Sequence, residues 1–258
     1  MTSARRNWSD DETAVALYLY LTLSFRGLTK TDARVLAAAD YLGRTPDAVR
    51  FKASNLSSCD LGIRQKGFAN VSRTDREVWA RYMHDAPSLE PLLQAVDGFL
   101  AFERARNAPD ETPLEAEALA LVRRRDGQDL FRASTLTNFA GACALTGLTF
   151  SSLVEAAHIL PWAECEAARL RPDNGLALNV LLHRAWDAEL IGISPDGLVV
   201  SAADARERAR LDDRDAVHGA DLDFLNRVDG LRLRAARHVA PNRDFLDWRF
   251  AVFRARHL

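Results

Sequence analysis

The segments LVEAAHILPW, residues 153–162, and NGLALNVLLHRAWDAEL, residues 174–190, decide the fold of the C-terminal half of the chain. The first is a short apolar run that ends in a histidine and a Pro-Trp turn, which predicts a β-strand. In the second, an Asn-Gly turn precedes a strand at residues 176–178 and a helix at residues 180–190. Strand, polar loop, strand and helix would bring four polar side chains around one pocket: His158, Asn174, His183 and Asp187.

These residue types suit the hydrolysis of a phosphodiester bond. A histidine such as His158, with an ordinary pKa of about 6.5, can accept a proton from an attacking water near neutral pH. His183 and Asp187 are four residues apart on one helix face, where an imidazole and a carboxylate can hold one divalent cation. Taken singly, each residue also has an ordinary structural explanation: a histidine at a strand end, a helix-surface ion pair, a common turn.

The order His158, Asn174, His183, with eight residues between the last two, resembles the HNH nuclease motif and its ββα-metal fold. Over about residues 113–258 the chain is similar to the HNH domains of restriction-type endonucleases. The similar segments are Gly127-Gln128-x-x-Phe131-Arg132, Cys143-x-x-Thr146-Gly147, Ala157-His158-Ile159-x-Pro161-Trp162, Asn174-Gly175-Leu176-x-Leu178, His183-x-x-Trp186-Asp187 and Asp244-Phe245-Leu246-x-Trp248-Arg249.

The resemblance implies a metal-dependent endonuclease whose products carry a 5′ phosphate and a 3′ hydroxyl. His158 would be the general base, and Asn174 would support the loop and orient His158 through its amide. His183 would belong to the catalytic set and, with Asp187, would bind the metal. Gln128 and Arg132 would contact the DNA, Arg132 through a phosphate.

One position departs from the family pattern. Many HNH nucleases have an aspartate or histidine immediately before the general base as a metal ligand, and this chain has Ala157 there. Either His183 and Asp187 hold the ion with waters and substrate, or another carboxylate contributes; Glu155 shares a strand face with Ala157. We expect one divalent ion, with Mg²⁺ as the working assumption and Mn²⁺, Ni²⁺ or Zn²⁺ as substitutes or inhibitors.

The N-terminal part predicts a helical, DNA-binding domain. Ser9-Asp10-Asp11-Glu12 is a capping box that starts a helix, a second helix at residues 32–42 stops at Gly43, and a third begins at Thr45-Pro46. A helix, a tight glycine turn and a helix are typical of a helix-turn-helix, and Trp8 with this helix pair resembles Myb-like domains. The predicted DNA contacts on the third helix are Arg50, Lys52 and Asn55. Such helix pairs also occur in proteins that do not bind DNA.

The predicted fold class is α+β, with an all-helical domain at residues 1–106 and an HNH domain with flanking helices and a β-hairpin at residues 107–258. A helical stretch at about 75–105 would complete the first domain, and a capping box at residues 112–115 would open the second. Residues 1–82 carry 13 Lys and Arg against 9 Asp and Glu, a net charge of +4. Because the whole chain has a net charge of −2, the remaining residues have a net charge of −6. The basic excess therefore lies in the predicted DNA-binding domain.

Composition excludes several other classes of protein. Among the 258 residues the apolar runs are shorter than the roughly 18–20 residues that a bilayer requires, and the N-terminus has no apolar signal segment. Three cysteines without a C-x-x-C pair build neither a disulfide framework nor a four-cysteine zinc site. We expect a cytoplasmic protein without a membrane partner.

The resulting interpretation is an endonuclease that cleaves double-stranded DNA, with restriction as its leading role, including restriction of modified DNA. A homodimer would supply two sites for double-strand cleavage. Two alternatives stay open from the sequence: a DNA-binding regulator with a decayed HNH site, and a nuclease specific for RNA or for a nucleic-acid structure.

Overall fold

A computed structural model of the chain describes residues 6–23, 27–61, 71–85, 88–107, 116–212 and 219–258. The chain forms two compact units, residues 1–137 with 170–172 and residues 138–169 with 173–258. In the described residues the first unit is helical and the second combines helices with short antiparallel strands, which confirms the predicted α+β class. None of the helices in these ranges is long and apolar enough to cross a membrane.

The first unit is built around a helix that is buried along most of its length. This helix begins with the predicted capping box: the Glu12 N–H donates to Ser9 Oγ at 3.1 Å, and the Ser9 N–H donates to the Glu12 carboxylate at 2.9 Å. Its residues from Thr13 to Leu21 are buried against the other helices. The helices of this unit are α1 (Asp10–Thr22), α2 (Ala33–Leu42), α3 (Pro46–Leu56), α4 (Arg73–Ala80), α5 (Glu90–Asn107) and α6 (Ala116–Asn138).

The predicted helix pair is present, with the predicted stop at Gly43 and the predicted cap at Thr45, and the structure adds Asp32 as the cap of the first helix. Asp32 accepts the N–H of Arg34 at the start of α2, and Gly43 ends that helix in the left-handed conformation, with φ +59°. Thr45 then caps α3 by accepting the Ala48 N–H at 3.2 Å. Glycine suits the turn because other residues adopt this backbone conformation at a cost.

The stretch predicted as continuous helix at about 75–105 is instead two helices, α4 and α5. A new helix begins after Ser88, whose hydroxyl accepts the N–H of Glu90 at 3.1 Å. Ion pairs of Arg104 with Asp126 and of Arg123 with Asp97 join α5 to α6. The predicted linker after Asn107 and the capping box at 112–115 lie outside the described residues, and the boundary between residues 106 and 107 stays a prediction.

The second unit contains the predicted strand, strand and helix, here β1 (Val154–His158), β2 (Gly175–Asn179) and α7 (Val180–Asp187). The two strands are antiparallel, and His158 lies opposite Gly175. Helix α7 ends three residues before the predicted end at residue 190, because Glu189 adopts a left-handed backbone, with φ +54°. The remaining elements are β3 (Ile191–Ile193), β4 (Val199–Ser201), α8 (Ala203–Asp212), α9 (Gly219–Val228) and α10 (Arg243–His257).

Candidate active site

His158 lies at the end of β1, where a backbone carbonyl engages its imidazole. Its Nε2 lies 3.0 Å from the carbonyl oxygen of Arg169, and the Trp162 ring meets the imidazole edge-on at 5.7 Å. A carbonyl oxygen only accepts, so Nε2 carries the proton in this bond and Nδ1 is the acceptor nitrogen of the neutral ring. Burial lowers the pKa of His158 below its ordinary value, which favours the neutral ring at neutral pH.

Asn174 fastens the loop that follows His158. The fully buried amide accepts the Leu160 N–H at 2.8 Å and donates to the carbonyls of Leu160 and Ala168 at 3.3 and 2.9 Å. Both amide donations go to backbone carbonyls of the loop, so the predicted orientation of His158 by this amide would act through the loop and not by a direct hydrogen bond. Asn174 donates to the carbonyl of Ala168, and the next carbonyl along the chain, that of Arg169, accepts from the His158 imidazole.

His183 lies between two carboxylates. Its Nδ1 is 2.6 Å from Oε2 of Glu155 on β1, and its Nε2 is 3.4 Å from Oδ2 of Asp187, one turn further along α7. His183 is 19% exposed at its side chain and Asp187 50%, so the Nε2 side of the ring opens toward solvent. The structure thus brings His183 and Asp187 together, as predicted, and it adds Glu155 on the other side of the ring.

The residues present fit one divalent cation held by His183 and Asp187. Ligand atoms about 2.1 Å from a common ion lie roughly 3.0 Å apart at the octahedral angle and roughly 3.4 Å apart at the tetrahedral angle, and Nε2 and Oδ2 are 3.4 Å apart. Glu155 faces the opposite nitrogen, where a carboxylate accepts the N–H of a metal-binding histidine and fixes its orientation. Because Glu155 and Asp187 lie on opposite sides of the His183 ring, the three side chains do not surround one ion. The described residues contain no group of three His, Cys, Asp or Glu that could hold a metal.

Arg249, for which the sequence motifs predict no role, lies at the junction of β1 and α7. Its guanidinium donates to the carbonyls of His158, Ile159 and Trp186 at 3.2, 3.0 and 3.1 Å, and lies 3.8 Å from the Asp187 carboxylate. The side chain is 13% exposed and stacks over the Trp186 ring. Burial lowers its pKa, yet an arginine stays charged at neutral pH. The only signal in the sequence was the similarity of the closing segment, which includes Arg249.

Helix α3 presents the predicted DNA contacts in three different ways. Arg50 is partly exposed, over the Phe51 ring and 3.7 Å from the Asp47 carboxylate. Asn55 has a buried side-chain oxygen without a hydrogen-bond partner among the described residues. Lys52 contradicts the prediction: it is 5% exposed, and its ammonium group pairs with the buried carboxylate of Asp75. A buried, paired lysine is not available to a DNA phosphate.

The other predicted DNA contacts lie on α6. Gln128 and Arg132 are both exposed, and they are four residues apart, so they share one face of that helix. Arg125, three residues before Gln128, is exposed on the same face. The structure thus leaves Gln128 and Arg132 accessible, and their role in DNA binding stays a prediction.

Comparison with protein families gives one match, to a segment that holds the hairpin and helix of the candidate site. Residues 143–194 match the family model of the HNH endonuclease, a segment that includes β1, β2, α7 and β3. The chain therefore carries an HNH endonuclease domain, as the sequence motifs predicted, and nucleic acid is the substrate class that such a domain implies. HNH nucleases usually use a divalent metal ion. None of the curated proteins compared with the chain matches it.

Proposed function

We propose that the protein is a metal-dependent DNA endonuclease in which His158 is the general base. The observation that carries this proposal is the state of the His158 ring. The Nε2–H donates to the Arg169 carbonyl, which leaves Nδ1 as the nitrogen that would accept a proton, and burial lowers the pKa of the ring and so favours its neutral form.

In the proposed reaction a water attacks the phosphorus atom while its proton moves to Nδ1 of His158. The bond from phosphorus to the 3′ oxygen breaks, the 3′ oxygen takes a proton from a second water, and the products are a 5′ phosphate and a 3′ hydroxyl. His183 and Asp187 would hold the cation, and Glu155 would fix the His183 ring. When bound, a divalent cation supplies positive charge beside the phosphorane and the leaving oxygen.

Two further residues would position these groups without touching the substrate. Asn174 holds the loop whose Arg169 carbonyl orients His158. Arg249 ties the backbone at His158 to the backbone at Trp186, beside Asp187, so the base and the metal ligands keep one spacing. Because a transition state tolerates little misplacement, we expect loss of either residue to lower the rate constant more than the affinity for DNA.

The proposed substrate is double-stranded DNA, and restriction, including that of modified DNA, is the proposed role. Residues 1–106 would hold the duplex and residues 107–258 would cleave it, which the net charge of +4 in residues 1–82 supports. A homodimer would place two active sites on the two strands. We retain Mg²⁺ as the proposed ion and the cytoplasm as the proposed location.

One observation favours a second candidate, a DNA-binding protein that does not hydrolyse its target. Ala157, where many HNH nucleases have a metal ligand, is fully buried and adds no donor atom. The proposed site therefore relies on two protein ligands for its cation.

The deciding experiment incubates the purified full chain with supercoiled plasmid and Mg²⁺ or Mn²⁺, with and without a chelator. We expect nicking that the chelator abolishes, and His158→Ala should lower its rate by about 10²–10⁴-fold with DNA affinity within a few-fold. The control variant is His257→Gln, which removes an imidazole of the same unit outside the site.

Each contrary result has a distinct meaning. Nicking by His158→Ala at the wild-type rate would remove His158 from the mechanism. Binding of DNA without nicking by the wild type would support the second candidate. Faster cleavage of RNA or single strands than of the plasmid would replace the duplex as the substrate.

A further inference from the structure

Residues 231–237 form an extended strap in the second unit. On one side the strap pairs with β4 and its turn: Leu198 and Arg232 form an antiparallel bridge, and the Leu233 N–H donates to the Gly197 carbonyl at 2.8 Å. On the other side the Arg234 N–H donates to the Ala144 carbonyl, also at 2.8 Å. Hydrogen bonds to both neighbours hold the strap in place.

The side chains of the strap alternate between apolar and basic. Leu231 and Leu233 are half-buried, whereas Arg232 and Arg234 are exposed. Because successive side chains of an extended segment point to opposite faces, the two arginines share the outer face. Two guanidinium groups therefore stand side by side on a backbone that is held in place.

The two arginines of the strap have no carboxylate partner among the residues that the structure describes. Within the described ranges neither Arg232 nor Arg234 forms an ion pair, and the Asp229 carboxylate near the start of the strap is engaged by Ser201 and Arg206. Four other exposed or half-exposed arginines of the same unit are paired: Arg206 with Asp229, Arg208 with Asp204, Arg243 with Asp196 and Arg256 with Glu189.

The Arg234 guanidinium lies close to a glycine of the same unit. It lies against the backbone of Gly147, where a Cβ atom would collide with it, and Gly147 has φ +75°. Glycine therefore serves two purposes at this turn: it adopts the left-handed conformation, and it leaves room for the guanidinium.

The strap is connected laterally to the hairpin of the HNH domain. Ala156 pairs with Ala177 across β1 and β2, the Ala144 N–H donates to the Ala177 carbonyl, and the Ala144 carbonyl accepts from Arg234. Three strand spacings of about 4.8 Å thus separate the strap from β1, roughly 14 Å in all. At about 3.4 Å per base pair, four base pairs of duplex span this distance.

We propose that Arg232 and Arg234 bind backbone phosphates of the DNA duplex, away from the phosphodiester bond that is cleaved. The proposal rests on the proposed function, in which the substrate is DNA. Guanidinium groups match phosphate oxygens in shape and charge, and two unpaired, adjacent ones on an ordered strap provide a site for a polyanion. The surface gives the HNH unit its own hold on the duplex, independent of α3.

The test compares two variants of the full chain with the same change in net charge. Arg232→Ala/Arg234→Ala removes the unpaired arginines, and Arg208→Ala/Arg243→Ala removes two paired, exposed arginines of the same unit. Fluorescence anisotropy measures the Kd for a duplex of 25–30 base pairs in EDTA over a range of salt concentrations. We expect the first variant to reduce the slope of log K against log salt by about 1.8, at about 0.9 for each phosphate contact, and the control to leave it unchanged.

A third variant, Arg232→Lys/Arg234→Lys, retains the charge without the bidentate geometry and should keep most of the salt slope while the affinity falls. If the alanine variant does not fold, judged by circular dichroism, the lysine variant and its effect on Kd decide the question. Equal Kd and slope in the alanine variant and its control would overturn the proposal.

The two proposals can fail separately because binding is measured without cleavage. If the wild type nicks no DNA but the strap variant binds DNA more weakly than the wild type, the nuclease function is overturned and the phosphate-binding surface is supported. Metal-dependent nicking by the wild type, together with unchanged DNA affinity in the strap variant, would support the nuclease function and overturn the Arg232/Arg234 surface. A wild-type chain that binds no duplex at any salt concentration would overturn both.

Discussion

Helices α3 and α7 are both short, capped and rich in polar residues, but they direct those residues differently. On α3, Lys52 is buried against Asp75, and the side-chain oxygen of Asn55 is buried as well. On α7, His183 and Asp187 face each other across an edge that solvent reaches. One helix uses its polar side chains mainly for packing, and the other leaves them where a substrate could approach.

The difference shows that the neighbours of a helix decide what its polar residues do. Helix α3 packs between other helices of an all-helical unit, so polar groups on two of its sides are covered. Helix α7 packs on a two-stranded hairpin that covers one side, and Glu155 on that hairpin orients His183 without closing the opposite side of the ring. The predictions below test this contrast.

The largest effect is expected at Lys52, if this side chain holds the first unit together. Lys52→Met leaves the Asp75 carboxylate buried without its partner and should lower the free energy of unfolding by about 3–5 kcal/mol. Urea denaturation measures this loss, with Lys30→Met, at an exposed position, as the control that changes it by about 0.5 kcal/mol or less. A stable Lys52→Met protein with weakened DNA binding would break the contrast, because Lys52 would then act on DNA.

The next effect concerns α7, where the polar residues should act on the cation. His183→Ala and Asp187→Ala should each raise the Mg²⁺ concentration for half-maximal nicking by at least about 100-fold, because both would lose a ligand. Mn²⁺ should rescue Asp187→Ala more readily, since the imidazole remains. Asp196→Ala, which removes an exposed carboxylate of the same unit, is the control.

If Asp187→Ala needs no more Mg²⁺ than the wild type, Asp187 is not a ligand of the ion.

The variant Glu155→Gln tests whether Glu155 orients His183 or binds the ion itself. If Glu155 only orients His183, Glu155→Gln should raise the Mg²⁺ concentration for half-maximal nicking by only about 10–100-fold, less than loss of a ligand. An effect larger than that of Asp187→Ala would make Glu155 the ligand instead.

A smaller effect is expected at Arg50, the predicted α3 contact that the structure leaves partly exposed. If Arg50 reads a base edge, Arg50→Ala should cost about 1–3 kcal/mol of binding to preferred sites and less to random DNA. A uniform loss would indicate a phosphate contact. Arg73→Ala, at an exposed position on α4, is the control; an effect of Arg50→Ala no larger than that of the control would make α3 a packing element only.

The smallest effect concerns the end of α7, where Glu189 and Asp204 face His257 at 2.9 and 3.0 Å. Although burial opposes it, these hydrogen bonds raise the pKa of His257, so its contribution to stability is full at acid pH and fades as the pH rises through that pKa. The Tm of the wild type should exceed that of His257→Gln by a small margin at pH 5.5 and by less at pH 8. An equal margin at both pH values would show that the charge of His257 is not involved.

The pKa of His158 is shifted in the opposite direction to that of His257, and this shift should appear in the pH profile of cleavage. Because burial lowers its pKa, the ring stays neutral to lower pH than a free histidine. The acid limb of kcat/KM should therefore have its midpoint below about 6.5. A midpoint clearly above that value would contradict His158 as the buried base.

Local sequence determined much of the molecule. The capping residues Ser9, Asp32 and Thr45 start helices where predicted, since a cap needs only a side chain and the next few backbone N–H groups. The strand, strand and helix of the HNH domain follow from hydrophobic periodicity, and the spacing of four residues puts His183 beside Asp187. The family of this segment follows from the order and spacing of its motifs.

Tertiary structure alone decided which of these polar residues are accessible and what holds them. Periodicity tells which residues share a helix face, but not which face another segment will cover, so the burial of Lys52 did not follow from the sequence. The Arg169 carbonyl that fixes His158, and the Arg249 guanidinium that joins β1 to α7, come from distant positions. Their contacts involve backbone carbonyls, which every residue has, so no residue type marks them before the chain has folded.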